Sequence, residues 1–377
     1  MIKAAYLHIP FCEHICHYCD FNKVFLKGQP VDEYIKALDQ EISMTLNQYP
    51  TDKLDTIFVG GGTPTSLNEQ QLEQFCESIN RNLPMNENIE FTFEANPGDL
   101  SKTKLQILKD AGVNRISLGV QTFNDELLKK IGRAHRAKDV FQSIENIKRL
   151  GFANISIDLI FSLPTQTLTD FKESLTEAFS LDITHYSAYS LIIEPKTVFY
   201  NLMQKGKLPT PGEDTEAAMY ELLMEEMEQH GFKQYEISNF SKPGFESKHN
   251  MTYWNNDDYY GFGAGAHSYI TGKRRSNIGP VKKYLDQINK GKMPLFQEHQ
   301  VTITEQMEEE MFLGLRKTAG VSILRFFDKF GNDPRQLFKN EIADLMKKGW
   351  LEVNQEQIYL SRTGRLLGNE VFQAFLR

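Results

Sequence analysis

Two kinds of segment alternate along the first 300 residues of the chain. Short apolar runs rich in β-branched side chains are each followed by a longer stretch whose apolar positions recur at helical spacing. The six runs that we interpret as strands are AAYLHIP, DTIFVGGG, IEFTFEAN, NRISLGVQ, NISIDLIFSLP and THYSAYSLI. Strand–helix units in series predict a parallel sheet with right-handed crossovers, so we expect an α/β fold, an open or closed β/α barrel.

The pattern becomes helical after about residue 300. The segments VTITEQMEEEMFLGLRKTAG, ILRFFDKFG and LFKNEIADLMKKGW each predict a short helix, LEVNQEQIYLSRTG predicts a β-hairpin, and a last helix follows. Three helices before a hairpin predict a C-terminal winged-helix-like α+β domain. No helix there shows a strong basic stripe, so a packing or covering role is favoured over DNA binding. We expect a core domain over 1–235, a connecting segment over 236–300 and the C-terminal domain over 301–377.

Composition excludes several classes of protein. A chain of 377 residues is long enough for a sizeable core and a second small domain. A net charge of −8 argues against a dedicated nucleic-acid surface. The longest apolar runs are strand-sized, far short of the roughly 20 residues that a membrane-spanning helix needs. The opening MIKAAYLHIPFC lacks the apolar core and cleavage site of a signal peptide, so we expect a cytoplasmic protein.

Three of the four cysteines lie within eight residues, in the segment FCEHICHYCDF. These are Cys12, Cys16 and Cys19, and the fourth, Cys76, lies in an amphipathic helical stretch where a small core residue is expected. Clustered thiols in a reducing compartment suit a metal or redox site better than a disulfide framework. The CxxxCxxC spacing therefore predicts a metal centre.

Two kinds of metal centre are candidates for this loop. A structural zinc site needs a fourth ligand, and His14 or His17 would have to reach the same ion from a tight loop. A 4Fe-4S cluster held by three cysteines leaves one iron open to a ligand from outside the protein. Phe21 stands where a fourth cysteine would otherwise follow, which favours the cluster.

Distinctive polar motifs follow the predicted strands, at the edge of the sheet where β/α folds carry their chemistry. Gly60 to Gly62 end the second strand and let the backbone approach a ligand closely, although a tight strand-to-helix turn would use the same residues. Glu94 and Asp158 end two further strands and could accept hydrogen bonds from a ribose or an ammonium group. A structural salt bridge or cap is the alternative for either carboxylate.

The cysteine loop, with Tyr18 just before its last cysteine, resembles the signature of the radical S-adenosylmethionine (SAM) superfamily. That resemblance implies a partial (β/α)6 TIM-like barrel and a 4Fe-4S cluster whose open iron is chelated by SAM, which is cleaved reductively to a 5′-deoxyadenosyl radical. The further motifs GGGTPT, EANPG, RISLGVQTFN, GRAH, DLIFSLPTQT and YEISNF are similar to the oxygen-independent coproporphyrinogen III oxidase group over essentially the whole chain.

The resemblance also implies roles for individual residues. The cluster ligands it implies are Cys12, Cys16 and Cys19. The positions that match SAM-contacting or cofactor-binding residues are Tyr6, Tyr18, Gly61, Gly62, Thr63, Glu94, Gln121, Arg133 and Asp158. No catalytic residue is assigned.

Two departures from the oxidase pattern point to a sister branch of haem chaperones, which lack decarboxylase activity. The oxidases carry CxxxCxxCxC, whereas this chain has Phe21 at the last position. The oxidases also have a long N-terminal extension that helps to enclose the porphyrinogen, and here five residues precede Tyr6. The chaperone branch carries an HNxxYW motif, present here as His249, Asn250, Tyr253 and Trp254.

The HNxxYW motif offers the chemistry of a haem site. A neutral imidazole such as His249 is a common axial ligand of haem iron, and neighbouring Tyr and Trp rings suit a porphyrin face. The alternative is a hydrogen-bonded histidine beside a packed aromatic pair, but the family context favours haem. His267, in GFGAGAHS, is a second candidate ligand.

The sequence therefore predicts a haem chaperone that binds a 4Fe-4S cluster, SAM and haem and transfers haem to acceptor apoproteins. A transient membrane-protein partner is expected, and nucleic acid is not. The second interpretation is an oxygen-independent coproporphyrinogen III oxidase. The third is a winged-helix regulator that uses the cluster as a sensor, and it would leave the glycine and carboxylate motifs without a purpose.

Overall fold

A computed structural model describes residues 1–376 of the protein. Its strands are β1 (Ala4–Ile9), β2 (Phe11–Cys12), β3 (Val24–Phe25), β4 (Leu54–Gly61), β5 (Met85–Ala95), β6 (Arg115–Gln121), β7 (Asn154–Phe161), β8 (His185–Ser190), β9 (Lys233–Glu236), β10 (Asn239–Ser241), β11 (Tyr259–Phe262), β12 (His267–Ile270), β13 (Lys273–Asn277), β14 (Leu295–Gln300), β15 (Val321–Ser322), β16 (Leu351–Val353) and β17 (Gln357–Leu360).

The helices lie between these strands and after them. They are α1 (Val31–Gln48), α2 (Glu69–Asn82), α3 (Lys102–Asp110), α4 (Asp125–Lys130), α5 (Ala137–Arg149), α6 (Leu168–Ser180), α7 (Val198–Gln204), α8 (Glu213–Gln229), α9 (Lys248–Trp254), α10 (Val281–Ile288), α11 (Ile303–Gly314), α12 (Ile323–Phe330), α13 (Pro334–Leu337), α14 (Lys339–Lys347), α15 (Arg362–Leu366) and α16 (Gly368–Gln373). No helix of residues 1–376 is both long and apolar enough to cross a membrane.

A twelve-stranded sheet dominates residues 1–376, in the order β14-β13-β12-β11-β1-β4-β5-β6-β7-β8-β10-β9. The six predicted strands are neighbours in chain order and all parallel, from β1 through β4 to β8. The sheet has two free edges and does not close. The prediction of a partial (β/α)6 barrel is confirmed, and its strands end at one edge, where the motifs lie.

Additional strands extend the sheet on both sides. β11 pairs with β1 in parallel, and β12, β13 and β14 continue from it in antiparallel fashion. At the other side β10 pairs antiparallel with β8 and β9. The segment 236–300, expected from sequence as a connection, thus supplies five strands of the sheet. Among them β13, with the sequence KRRSN, lacks the apolar run by which a buried strand is recognised.

Local sequence signals set the helix ends. α2, α6 and α11 begin at capping boxes, in which Asn68, Thr167 and Thr302 accept hydrogen bonds from the first turn. α12 ends at Gly331, whose φ of 69° is the left-handed conformation that glycine adopts without strain. These helices turn their apolar faces toward the sheet or toward the C-terminal core.

The alternation of side chains along β6 separates the core from the interior of the barrel. Ile116, Leu118 and Val120 belong to the apolar core between the sheet and its outer helices. Ser117, Gly119 and Gln121 point to the opposite face and line a cavity. β6 therefore presents a polar face to the barrel interior.

The C-terminal domain has its own apolar core, built from α11, α12, α14, α16 and the three-stranded sheet β15-β17-β16. The predicted hairpin is present as β16 and β17. The winged-helix-like α+β domain is thus confirmed.

Candidate functional site

The cysteine loop leaves β1 and is held at both ends by backbone pairing. β2, which contains Cys12, pairs in parallel with β3 after the loop. Gly62 N–H donates to the Ile9 carbonyl at 2.8 Å, and Thr63 N–H donates to the Phe11 carbonyl at 2.8 Å. The loop is thereby fixed against the glycine motif, and Cys12, Cys16 and Cys19 line one cavity of about 120 Å³.

Cys12 and Cys19 lie in surroundings that favour the uncharged thiol until a cation joins them. Burial raises the pKa of Cys12, and burial raises the pKa of Cys19 to about 11. Arg133 Nη1 lies 3.4 Å from the Cys16 sulfur, and the Thr63 hydroxyl donates to the Cys12 sulfur at 3.6 Å. Metal coordination deprotonates a thiol, so this donor set fits a metal centre that supplies the positive charge itself.

The three thiols are neighbours without being preassembled. In residues 1–376, no group of three or more His, Cys, Asp or Glu side chains is already arranged around a common metal position. The loop nevertheless brings all three thiols to the same cavity.

Close approach explains the glycine triplet. A Cβ on Gly60 would lie 2.6 Å from a Glu94 oxygen, and one on Gly62 would lie 2.8 Å from the Phe11 carbonyl oxygen. Gly61 has a φ of 114°, and its Cβ would lie 2.5 Å from the His8 ring. The atoms that exclude a side chain here belong to the protein, so the triplet first serves to bring β5 and the cysteine loop together.

Two carboxyl groups reach the floor of the same cavity from β5 and β7. Glu94 accepts from Gly61 N–H at 3.1 Å, and Asp158 accepts from the Ser117 hydroxyl at 3.3 Å. Burial, reinforced by the negative charge of Asp158, raises the pKa of Glu94 to about 8, and burial also raises the pKa of Asp158. A cation entering the cavity would favour both ionised forms.

Arg133 and Gln121 complete the wall opposite the thiols. Arg133 Nη2 donates to Asn96 Oδ1 at 2.7 Å and to the Gly119 carbonyl. Its Nε is buried and has no hydrogen-bond partner within residues 1–376. Gln121 adopts a φ of 70°, which turns the chain sharply at the end of β6. A buried donor without a partner beside a cavity indicates room for a ligand.

The two predicted tyrosines lie in different places. Tyr18 lines the thiol cavity. Tyr6 points into the barrel but lies below this cavity, where its hydroxyl is 3.0 Å from His8 Nδ1 and its ring stacks on Phe58.

The HNxxYW motif forms α9, which crosses the barrel at the N-terminal ends of β4 and β5. Glu90 caps the helix by accepting from Lys248 N–H at 2.9 Å and from His249 N–H at 3.0 Å. The His249 ring is 1% exposed, with Nδ1 2.9 Å from the Thr56 hydroxyl and Nε2 2.8 Å from the Tyr253 hydroxyl. Both ring nitrogens are thus paired, as in the structural alternative considered for this motif.

The other aromatic residues of the motif pack against protein. The Tyr253 ring packs edge-on to Tyr259 with centroids 4.6 Å apart. Arg316 of the C-terminal domain lies over the Trp254 ring, 4.4 Å from its centroid. His267, by contrast, is exposed on β12.

A second, wider cavity of about 360 Å³ adjoins the thiol cavity and shares Glu94, Gln121 and Asp158 with it. Sequence reasoning missed two of its lining residues, Arg115 and Asn250. Asn250 was noted only as part of the motif. Arg115 had a signal, because RISLGVQ alternates polar and apolar positions and so predicts a strand with one polar face.

Comparison with known proteins identifies both domains. The model described as the Radical SAM superfamily matches residues 6–178, and that of the HemN C-terminal domain matches residues 301–367. The solved structure of coproporphyrinogen III oxidase (HemN) from Escherichia coli, described as a radical SAM enzyme, has a TM-score of 0.87 at 24% identity. The match covers 99% of this chain and 90% of that one, and it shows the shared fold.

Two relatives of higher identity carry the name heme chaperone HemW. The protein named heme chaperone HemW of Bacillus subtilis (strain 168) is 59% identical over 376 residues, covering 100% of this chain and 99% of that protein. The HemW of Escherichia coli (strain K12) is 36% identical over 271 residues, covering 71% of this chain and 70% of that protein. Similarity of this degree over the full length makes the chain a member of the HemW family of haem chaperones, built on the radical SAM fold.

Proposed function

We propose that this protein is a haem chaperone that binds haem beside a SAM-ligated 4Fe-4S cluster and passes the haem to acceptor apoproteins. The observation that carries the proposal is the full-length identity of 59% to a HemW protein, in a chain that keeps the three thiols at one cavity. Phe21, where the oxidases carry a further cysteine, is 59% exposed at the rim of that cavity.

The proposed cluster ligands are Cys12, Cys16 and Cys19. The proposed SAM site is the adjoining wall, formed by Tyr18, Gly61, Gly62, Thr63, Glu94, Gln121, Arg133 and Asp158, with Tyr6 below it. When bound, the cluster and SAM would supply redox chemistry at the open iron. The chain's own part is to offer carboxylates to the cationic groups of the ligand and to donate from the unpaired Arg133 Nε to one of its acceptor oxygens.

Haem ligation is proposed through His249, with His267 as the second candidate. For His249 to reach iron, its Nε2 has to exchange the Tyr253 hydroxyl for the metal. The exposed His267 needs no such exchange. A cytoplasmic location and a transient membrane-protein partner belong to the same proposal, because a haem carrier delivers its cargo to other proteins.

Parallel assays on anaerobically reconstituted protein test the function. With SAM and reductant, we expect haem binding, transfer of haem to an added apoprotein, and no conversion of coproporphyrinogen III to protoporphyrinogen IX. An active oxidase under the same conditions is the positive control. Decarboxylation at a rate comparable to that control would overturn the proposal, and so would a failure to bind haem.

A further inference from the structure

Arg115 is a charged side chain in the interior of the barrel. It opens β6 and is 2% exposed. By strand alternation it shares a face with Ser117 and Gln121, and all three line the wide cavity of about 360 Å³. The proposed roles of the neighbouring motifs make no use of it.

The Arg115 guanidinium has no partner of its own. Among residues 1–376 it forms no hydrogen bond and no ion pair. Its Nε is buried without an acceptor. Its charge acts on Glu94 and Asp158 without pairing with either, and burial raises the pKa of both carboxyl groups. A buried cation without a paired anion is costly, so this position is suited to an anion that arrives from outside the chain.

The wide cavity has a polar floor and an apolar rim. Ser117, Ser187 and Asn250 stand near Arg115, and none of the hydrogen bonds of residues 1–376 uses the Asn250 side-chain amide. At the rim, Phe21 is 59% exposed and Ile192 is 65% exposed. Large apolar side chains left in solvent around one cavity indicate a site for an apolar ligand.

We propose that Arg115 binds a carboxylate of an amphipathic ligand whose apolar body lies over Phe21 and Ile192. The identification of this ligand rests on the proposed function: the ligand is haem, and the carboxylate is one of its propionates. A cavity of about 360 Å³ is at the low end for ligand pockets, so one edge of the macrocycle enters and the rest stays at the rim. Arginine is suited to this role because its planar guanidinium can donate two parallel hydrogen bonds to a carboxylate.

The wild-type protein alone gives the first test. Reconstituted protein is titrated with haem and with haem dimethyl ester, whose propionates are masked, and binding is followed by the Soret difference spectrum. We expect haem to bind at least about tenfold more tightly than the ester, the effect of one charge-assisted hydrogen bond. Equal affinities would overturn the role of Arg115 while leaving the chaperone function standing. No binding of either compound would overturn both.

Substitutions then locate the effect. Arg115→Gln should weaken haem binding about tenfold and leave ester binding unchanged, and Arg115→Lys, which keeps the charge, should recover part of the loss. Arg149→Gln is the matched control, because Arg149 lies on the outer face of α5 paired with Glu145 at 2.5 Å. Unchanged haem affinity in Arg115→Gln would contradict the proposal. So would a loss confined to SAM affinity, since that would assign Arg115 to the SAM carboxylate.

Discussion

The absence of a side chain at three successive residues decides how closely the cysteine loop approaches the strand ends. Gly61 combines a φ of 114° with a neighbouring His8 ring, so a valine there would strain the backbone and displace the ring. Such a variant would test folding before it tested ligand binding. Asp158 is the cleaner probe, because its carboxyl lies at the cavity and its removal leaves the glycine turn intact.

The cluster prediction rests on three residues. We expect about four iron atoms per chain after anaerobic preparation, with a sharp fall in Cys12→Ala, Cys16→Ala and Cys19→Ala. Cys76→Ala is the control, because Cys76 is buried in α2 and lies away from the cavity. Iron analysis and the visible spectrum measure the outcome. Stoichiometric zinc in place of iron would refute the assignment.

A pH dependence of SAM binding follows from Glu94, which faces Asp158 and Arg115. With a pKa of about 8 in the free protein, the Glu94 carboxyl is mostly protonated at pH 7 and has to lose its proton to bind a cation. SAM affinity should therefore rise with pH up to about 8 and then level off. Isothermal titration at several pH values measures the effect, with Glu94→Gln flattening the rise and Asp158→Ala lowering affinity throughout. A rise of the same size in Glu94→Gln would rule out this origin.

At the scale of the element, α9 packs inside the lower end of the barrel, and its first turn is hydrogen-bonded to the strands rather than exposed to solvent. Glu90 caps its first turn, His249 fastens it to Thr56 on β4, and Asn250 reaches the wide cavity. The motif thus joins the lower end of the barrel to the cavity floor. A substitution of His249 would therefore disturb the position of α9 as well as the proposed haem ligation.

His249 should make stability depend on pH. Burial lowers its pKa to about 3, whereas in the unfolded chain the pKa is about 6.5, so between these values the unfolded state binds the extra proton. The contribution of His249 to the free energy of unfolding is therefore fully present above about pH 6.5. It is lost as pH falls, by up to about 1.4 kcal/mol per pH unit.

Urea unfolding of the cluster-free protein from pH 7 to pH 5 measures this effect. His249→Phe should lower the unfolding free energy at pH 7 by about 2–4 kcal/mol, since it leaves the Thr56 and Tyr253 hydroxyls unpaired, and should reduce the slope with pH. His299→Ala, at an exposed residue of β14, is the control. An unchanged slope in His249→Phe would show that another group carries the dependence.

At the scale of the whole molecule, the C-terminal domain is joined to the barrel through the end of α9. Arg316 covers Trp254, and Lys317 Nζ donates to Asn255 Oδ1 at 2.7 Å. The Arg316 carbonyl also accepts from Ile237 N–H at 3.0 Å. The positive charge of the Arg316 guanidinium lies near the buried Glu236. The junction therefore combines polar and aromatic contacts with apolar ones, since Ile237 packs against the C-terminal core and Leu366 packs against the barrel core.

Arg316→Ala should loosen this junction. Loss of the contact with Trp254 and of the charge beside Glu236 is expected to cost about 1–3 kcal/mol. Limited proteolysis should then cut faster between the barrel and the C-terminal domain, and tryptophan fluorescence should shift. Arg335→Ala removes an exposed ion pair with Asp333 and serves as the control. Equal proteolysis rates in the two variants would show that Arg316 does not hold the domains together.

The sequence by itself determined the order of the six parallel strands, the cysteine loop after the first of them and the helical domain at the end. These features depend on periodicity and spacing along short stretches, which every residue carries locally. β13 and β14 escaped recognition because pairing with neighbouring strands, rather than a buried apolar run of their own, makes them strands. β11 pairs with β1 across some 250 residues of chain.

Only the tertiary structure decided which polar groups are paired. His249 meets Thr56 across 193 residues, and Glu90 meets Ser247 across 157, so the motif is seen as buried and bonded only when the barrel is formed. Arg115 stands on the polar face of its strand, and nothing nearby in the sequence says whether a partner reaches it. Burial and pairing are properties of contacts between distant parts of the chain, and such contacts exist only in the folded molecule.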